Sequence, residues 1–333
     1  MSEHAYILLK DQELYISLTK GIDVPLFFQA HWLDTITKKQ WEGWVILDDA
    51  QHPIGIISLP YQNLIFWKTY RSPIFSPYSG PYFFDENLNQ LNHQKAVWET
   101  LWEQNKNYHF WMHLHGYFDR HVSIEDNKNS SIENEVDSEH TTFSTRRTYL
   151  LSLEQDSDQL LKNIRSRRRS YLRRAKENYS VEILKEGQWD LWLGWLADSY
   201  IKKGDKMPYT APFLKEVFDD LQIAGDHSLL LSAVNKEHET VAVLWVMYDK
   251  QNAYQMWSTF HAEKSQNGCM DLLIWKAWNI LKTKGVKTYD FEGSMDPGIA
   301  RFFKHMGGVA HEYLSITPPT HKIISCLKKI RNL

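Results

Sequence analysis

The chain has 333 residues, of which 43% are hydrophobic and 24% charged, with a formal charge of −3. That is enough for one large or two mid-sized globular domains, and it excludes a protein that binds nucleic acid with its whole surface. Two cysteines, Cys269 and Cys326, give neither a disulfide framework nor a zinc motif, and no apolar stretch approaches the length of a membrane span. The expected setting is cytoplasmic.

In chain order, a short strand is predicted at Tyr6–Leu9 and a helix over Leu26–Leu33 behind Pro25. A hairpin is predicted from Trp44–Asp48 and Ile54–Leu59. Proline, glycine and serine crowd Arg71–Phe84 and leave an extended, shaped loop. Helical spacing returns over Asn89–Lys106. The alternation in Tyr108–His115 puts His109, His113 and His115 on one strand face. Without acidic or cysteine partners at ligand spacing, that face reads as polar rather than metal-binding, and no metal is expected. Ile124–Thr142, acidic and nearly free of apolar residues, reads as a mobile loop, with a strand over Thr148–Leu153 beyond it.

Asp158–Asn178 is a predicted helix and the most basic stretch. Arg168 falls on its apolar stripe of Leu161, Ile164, Tyr171, Leu172 and Ala175. An arginine there needs a carboxylate or an anionic ligand, so Arg168, Arg169 and Arg173 are candidate phosphate- or substrate-binding residues, against the plainer reading of a solvated charged face. Helices follow at Trp189–Lys203 and Ala211–Leu221, joined through a loop holding Tyr209.

The hairpin Val241–Tyr248 and Ala253–Phe260 opens a unit continued by a polar loop ending at Gly268. After it come a helix over Met270–Lys284, a strand over Lys287–Glu292, a helix over Pro297–Met306 and a strand over Val309–Ile316. A glycine before a helix start lets backbone approach an anion that the first-turn amides can hold, although Gly268 also suits an ordinary turn. Lys264, Gln266, Asn267 and Gly268 are therefore candidate donor-binding residues. Asp290 and Glu292 alternate onto one strand face, with Glu292 the candidate general base or amine-positioning carboxylate, unless it pairs with Arg301 or Arg168. Tyr209 is the candidate proton donor to the leaving group. The basic, amphipathic tail His321–Leu333 is expected to pack on the body or to touch an anionic membrane surface peripherally.

Several runs carry a family resemblance: Pro25–Asp34, Ser79-Gly80-Pro81-Tyr82, Arg169–Lys176, Tyr289–Met295 and Gly298–Gly308. In this order they resemble the FemAB-type branch of the GNAT acyltransferases. The resemblance implies a mixed α/β (α+β) chain of tandem GNAT-like domains, about 1–145 and 146–320, each a mostly antiparallel sheet flanked by helices. The acyl-donor site would lie in the second domain, with Phe302, Phe303 and Lys304 beside the donor.

It further implies transfer of an acyl group from acetyl-CoA or another acyl-CoA to an amine acceptor, such as a lipid- or nucleotide-linked cell-envelope or surface-polysaccharide precursor. Aminoacyl-tRNA is the alternative donor, and a non-catalytic module binding a phosphorylated or nucleic-acid partner is a further alternative. Two departures favour the CoA thioester over tRNA: there is no room for the long helical hairpin of the peptidoglycan aminoacyltransferases, and Phe303 stands where they carry lysine, with Lys304 one step later. The phosphate loop is itself reduced to Gln266-Asn267-Gly268.

Overall fold

The computed structural model describes residues 6–317 apart from 64–67, 74, 105–108, 111–113, 116–135, 139–140, 185–188, 202–203, 205–206, 208, 224–226, 262, 266–267 and 294–295. The acidic stretch is thus described only from residue 136, and the basic tail, Gln266, Asn267 and His113 lie outside the described residues. The chain divides into two compact units, Met1–Arg147 with His311–Leu333, and Thr148–Ala310.

The first unit contains β1 (Ile7–Lys10), α1 (Gln12–Gly21), α2 (Ala30–Thr37), β2 (Trp41–Leu47), β3 (Pro53–Asn63), β4 (Lys68–Tyr70) and β5 (Tyr82–Phe83). It continues with α3 (Leu91–Gln104), β6 (His109–Phe110), β7 (Leu114–His115) and β8 (Val136–Ser138), and the chain leaves it along β9 (Thr141–Ser152). A sheet runs β1-β2-β3-β4-β6 with β5 on β3, all antiparallel except β4 with β6. One face packs Trp44, Ile46, Ile57 and Leu59 on Val97, Trp98 and Leu101 of α3.

Helix α1 escaped the sequence pattern because Tyr15 is its only buried residue, while Asp11 caps it by accepting from the Leu14 amide at 2.9 Å. The helix expected over Leu26–Leu33 is instead a single 3-10 turn, Leu26–Phe28, and then α2. Gln29 is extended between them, and the Tyr15 hydroxyl donates to the Phe28 carbonyl there at 2.8 Å.

The second unit begins with α4 (Ser157–Asn163), α5 (Ser166–Asn178), β10 (Ser180–Ile183), α6 (Trp189–Ile201) and α7 (Ala211–Ile223). The predicted hairpin and crossover follow as β11 (Ser228–Val234), β12 (Thr240–Tyr248), β13 (Asn252–Phe260), α8 (Cys269–Thr283), β14 (Thr288–Asp290) and α9 (Pro297–His305). The sheet order is β10-β11-β12-β13-β14-β9, antiparallel but for β13 with β14, whose parallel register requires the crossover through α8. Every residue of β12 is buried, so both faces of the sheet are covered. Leu231, Leu244, Val246, Tyr289 and Phe291 join the core with α5 and α8. The opposite face carries Trp245 and Trp257 against Trp192 of α6, with ring centroids 6.1 and 5.9 Å away.

The chain leaves this unit along β15 (Val309–Thr317), where Ser315 pairs with His115. That pairing is why the second unit ends at Ala310, ten residues before the boundary expected from sequence. Both units are mixed, mostly antiparallel sheets flanked by helices. Among the described residues no helix is long and apolar enough to cross a membrane, and no group of three or more His, Cys, Asp or Glu is placed to hold a metal.

Candidate active site

Two local features of the second sheet build the site. Pairing between β13 and β14 stops at Tyr254 and Asp290, yet β13 runs on to Phe260, so the parallel strands part there. Just beyond the parting, β13 carries a bulge: Val246 faces Gln255 but Trp245 faces Trp257, leaving Met256 as the extra residue. The bulge brings Trp257 onto the α6 face, where strict alternation would have placed Met256.

The strand expected over Lys287–Glu292 ends at Asp290. Phe291 still donates its amide to the Tyr149 carbonyl at 2.9 Å, but Glu292 and Gly293 turn away with φ of 60° and 61°. A left-handed glutamate is strained and needs to be held. Asp290 holds it. Its carboxylate is buried and accepts from the Thr148 hydroxyl and, at 2.7 Å, from the Glu292 amide. Both bonds fall on the same oxygen, Oδ1.

Glu292 differs. Its Oε1 is shut off from solvent with no hydrogen-bond partner among the described residues, and it forms no ion pair with Arg301 or Arg168. Burial, and then the Asp290 charge, push its carboxyl well above the ordinary range. Tyr209 lies in the same electrostatic field. Burial, a hydrogen bond with Tyr200 and the Glu292 charge all raise its phenol, and its ring sits 5.2 Å from Trp257. The structure thus brings Glu292, Asp290 and Tyr209 together and adds Trp257, Tyr200 and Thr148, which the sequence reading missed. Nothing in the alternation of β13 marked Trp257, because the bulge reverses its phase.

The donor-binding and phosphate-binding candidates are placed differently. Gly268, with φ of 102°, does permit a close approach, but to protein: a Cβ there would lie 2.4 Å from the Tyr171 carbonyl oxygen of α5. Arg168 found a carboxylate within the chain. It reaches Asp271 at 3.1 Å, in the first turn of α8, and its guanidinium lies 4.4 Å from the Phe302 ring centroid. Arg169 donates to the Lys162 and Ile164 carbonyls at 2.9 and 2.5 Å, closing the end of α4. Lys264 pairs with Glu239 at 2.6 Å. Phe303 is core, 4.9 Å from the Phe291 ring. Arg173 and Lys304 are exposed. Gly268 gives α8 no side-chain cap, and in the first turn the Asp271 carboxylate accepts from its own backbone amide.

Residues 159–304 match the family model for the acetyltransferase (GNAT) domain. Among solved structures, the chain is similar to the crystal structure of FemX, with 12% identity and a TM-score of 0.63 over 93% of this chain and 97% of that one. It is also similar to a conserved protein of unknown function from Bacteroides thetaiotaomicron VPI-5482, 11% identical, with a TM-score of 0.50 over 92% of this chain and 96% of that one. No curated protein matches it in sequence. By sequence, then, residues 159–304 match the acetyltransferase (GNAT) domain family, and the chain shares the fold of the FemX structure.

Proposed function

We propose that the chain is a cytoplasmic N-acyltransferase that moves an acyl group from an acyl-CoA thioester to an amine acceptor, with Glu292 as the general base. The observation that carries this reading is the buried, unpartnered Oε1 of Glu292 at the point where β13 and β14 part. An orphaned buried carboxyl oxygen costs free energy that a ligand carrying a donor would recover.

The donor supplies an activated acyl carbon. Glu292, ionised, takes a proton from the arriving ammonium and frees the nitrogen lone pair. Asp290 fixes the strained turn so that Oε1 faces the amine. Tyr209, kept protonated by its surroundings, gives a proton to the departing sulfur. Of the three ammonium protons, one stays on the amide, one balances the thiol and one is released through Glu292. Amides at the start of α8 would hold the pyrophosphate, without help from Arg168 or Lys264, both engaged within the chain.

A cell-envelope or surface-polysaccharide amine is the acceptor class that the family resemblance suggests. Aminoacyl-tRNA is the second donor reading. It draws on the cations Arg165, Arg168, Arg301 and Lys304, which, after burial, lower the pKa of His305, and on exposed Arg173 of α5.

Calorimetry with acetyl-CoA, coupled to mass analysis of an amine panel, separates the two. Micromolar acetyl-CoA binding and an acylated product support the thioester donor. No binding of acetyl-CoA, together with salt-sensitive binding of charged tRNA, overturns it in favour of the second reading.

A further inference from the structure

Arg167, Tyr171 and Arg174 are spaced i, i+4 and i+7 along α5, so they line one side of that helix. They also meet in space. The Arg167 Nε donates to the Tyr171 hydroxyl at 2.8 Å. The guanidinium carbons of Arg167, Arg168 and Arg174 lie 5.6, 5.8 and 5.4 Å from the Tyr171 ring centroid. The root of the same ring adjoins α8, since a Cβ on Gly268 would meet the Tyr171 Cβ at 3.1 Å. Three cations thus share one ring, beside the turn to which the donor pyrophosphate is assigned above.

The three have different work. Arg168 is matched by the buried Asp271 carboxylate at 3.1 Å. Arg167 and Arg174 are exposed, and gathering them on one ring raises the positive potential there. The ring quadrupole and the phenol oxygen offset part of that repulsion, and a doubly charged anion offsets far more. Arg167 spends Nε on the tyrosine, and its two terminal nitrogens form the fork that takes phosphate oxygens. In an acyl-CoA, the pyrophosphate bridge carries one charge on each phosphorus. The 3′-phosphate is a monoester and carries close to two at neutral pH. We propose that Arg167 and Arg174, braced by Tyr171, bind the 3′-phosphate of the acyl-CoA donor. The proposal rests on the acyl-CoA reading of the second unit and deepens it, because it makes the ribose phosphate a feature by which the chain selects its donor.

Binding measured without any acceptor isolates this claim from catalysis. The two probes are acetyl-CoA and acetyl-dephospho-CoA, which differ only in the 3′-phosphate. Calorimetry on the full chain at neutral pH is expected to show acetyl-CoA binding at least about tenfold more tightly. In the double variant Arg167→Gln/Arg174→Gln that preference should vanish. Its affinity for acetyl-CoA should fall to the level of the dephospho form, which itself should change by less than about twofold. Thermal melts establish that the variant is folded, as expected for two exposed side chains.

Equal affinity of the parent for the two probes overturns the proposal and leaves the acyl-CoA reading standing. So does a folded double variant that still prefers acetyl-CoA, or one that loses both probes alike. Failure of the acyl-CoA reading looks different: the parent binds neither probe, and the proposal falls with it.

Discussion

At the scale of single residues, Glu292 combines three features that ordinary surface glutamates lack. Its backbone is left-handed, one carboxyl oxygen is sealed from water, and its proton is held more tightly than usual. The last has a consequence for stability. A carboxyl whose folded pKa lies above its unfolded value binds more protons in the folded chain. Stability therefore falls as pH rises from the ordinary carboxyl value of 4.5 through the raised folded value. Glu292→Gln removes that loss. The melting temperature of the variant relative to the parent should climb as pH rises above 4.5, read by scanning calorimetry, because only the parent is penalised for ionising there. A constant difference across the range would mean that the carboxyl titrates normally. The core side of this stretch was legible because Tyr289 and Phe291 alternate with Asp290 and pack at α8. The orphaned oxygen was not legible, since it depends on where the strand ends.

At the scale of elements, the junction of α5 and α8 shows how one sequence signal can carry two meanings. Gly268 and the arginine on an apolar stripe both suggested an anion. The structure uses the glycine to bring the Tyr171 carbonyl against the start of α8, and uses Arg168 to meet Asp271 in its first turn. Sequence could supply the need for a partner but not its identity, because Arg168 and Asp271 are far apart along the chain.

Two predictions belong here. Gly268→Ala should cost about 1–3 kcal/mol for its backbone conformation alone, with the contact to Tyr171 adding to it. Gly285→Ala, also at positive φ but with open space around its Cβ position, should cost less. Chemical denaturation gives both values. Asp271→Leu leaves a partly buried guanidinium uncompensated and should destabilise by roughly 3 kcal/mol. The double variant Arg168→Met/Asp271→Leu should recover most of that loss, and failure to recover it would show that the pair does more than neutralise itself.

For the whole molecule, the order hairpin, glycine loop, helix, strand, helix, strand was readable along residues 241–316. Each element is periodic and most end at a glycine or proline. What stayed hidden was the return of the chain to the first unit after Ala310, because β15 reads as one more strand and its pairing with His115 is non-local. In the first unit the Tyr313 ring meets Tyr78 edge-on at 5.4 Å. Tyr313→Ala should lose about 1 kcal/mol beyond simple burial and raise hydrogen exchange in peptides around residues 75–83. Peptides over residues 268–293 should exchange as before.

The central claim is that Glu292 takes the proton from the amine, and the pH dependence of acyl transfer by the parent and by Glu292→Gln tests it most directly. The account predicts that the parent rate rises with pH along a limb set by a carboxyl pKa above its usual range. In Glu292→Gln that limb should vanish, with kcat lower by about 10²–10⁴-fold while donor affinity is kept. A variant that turns over at the parent rate with the same limb would contradict it.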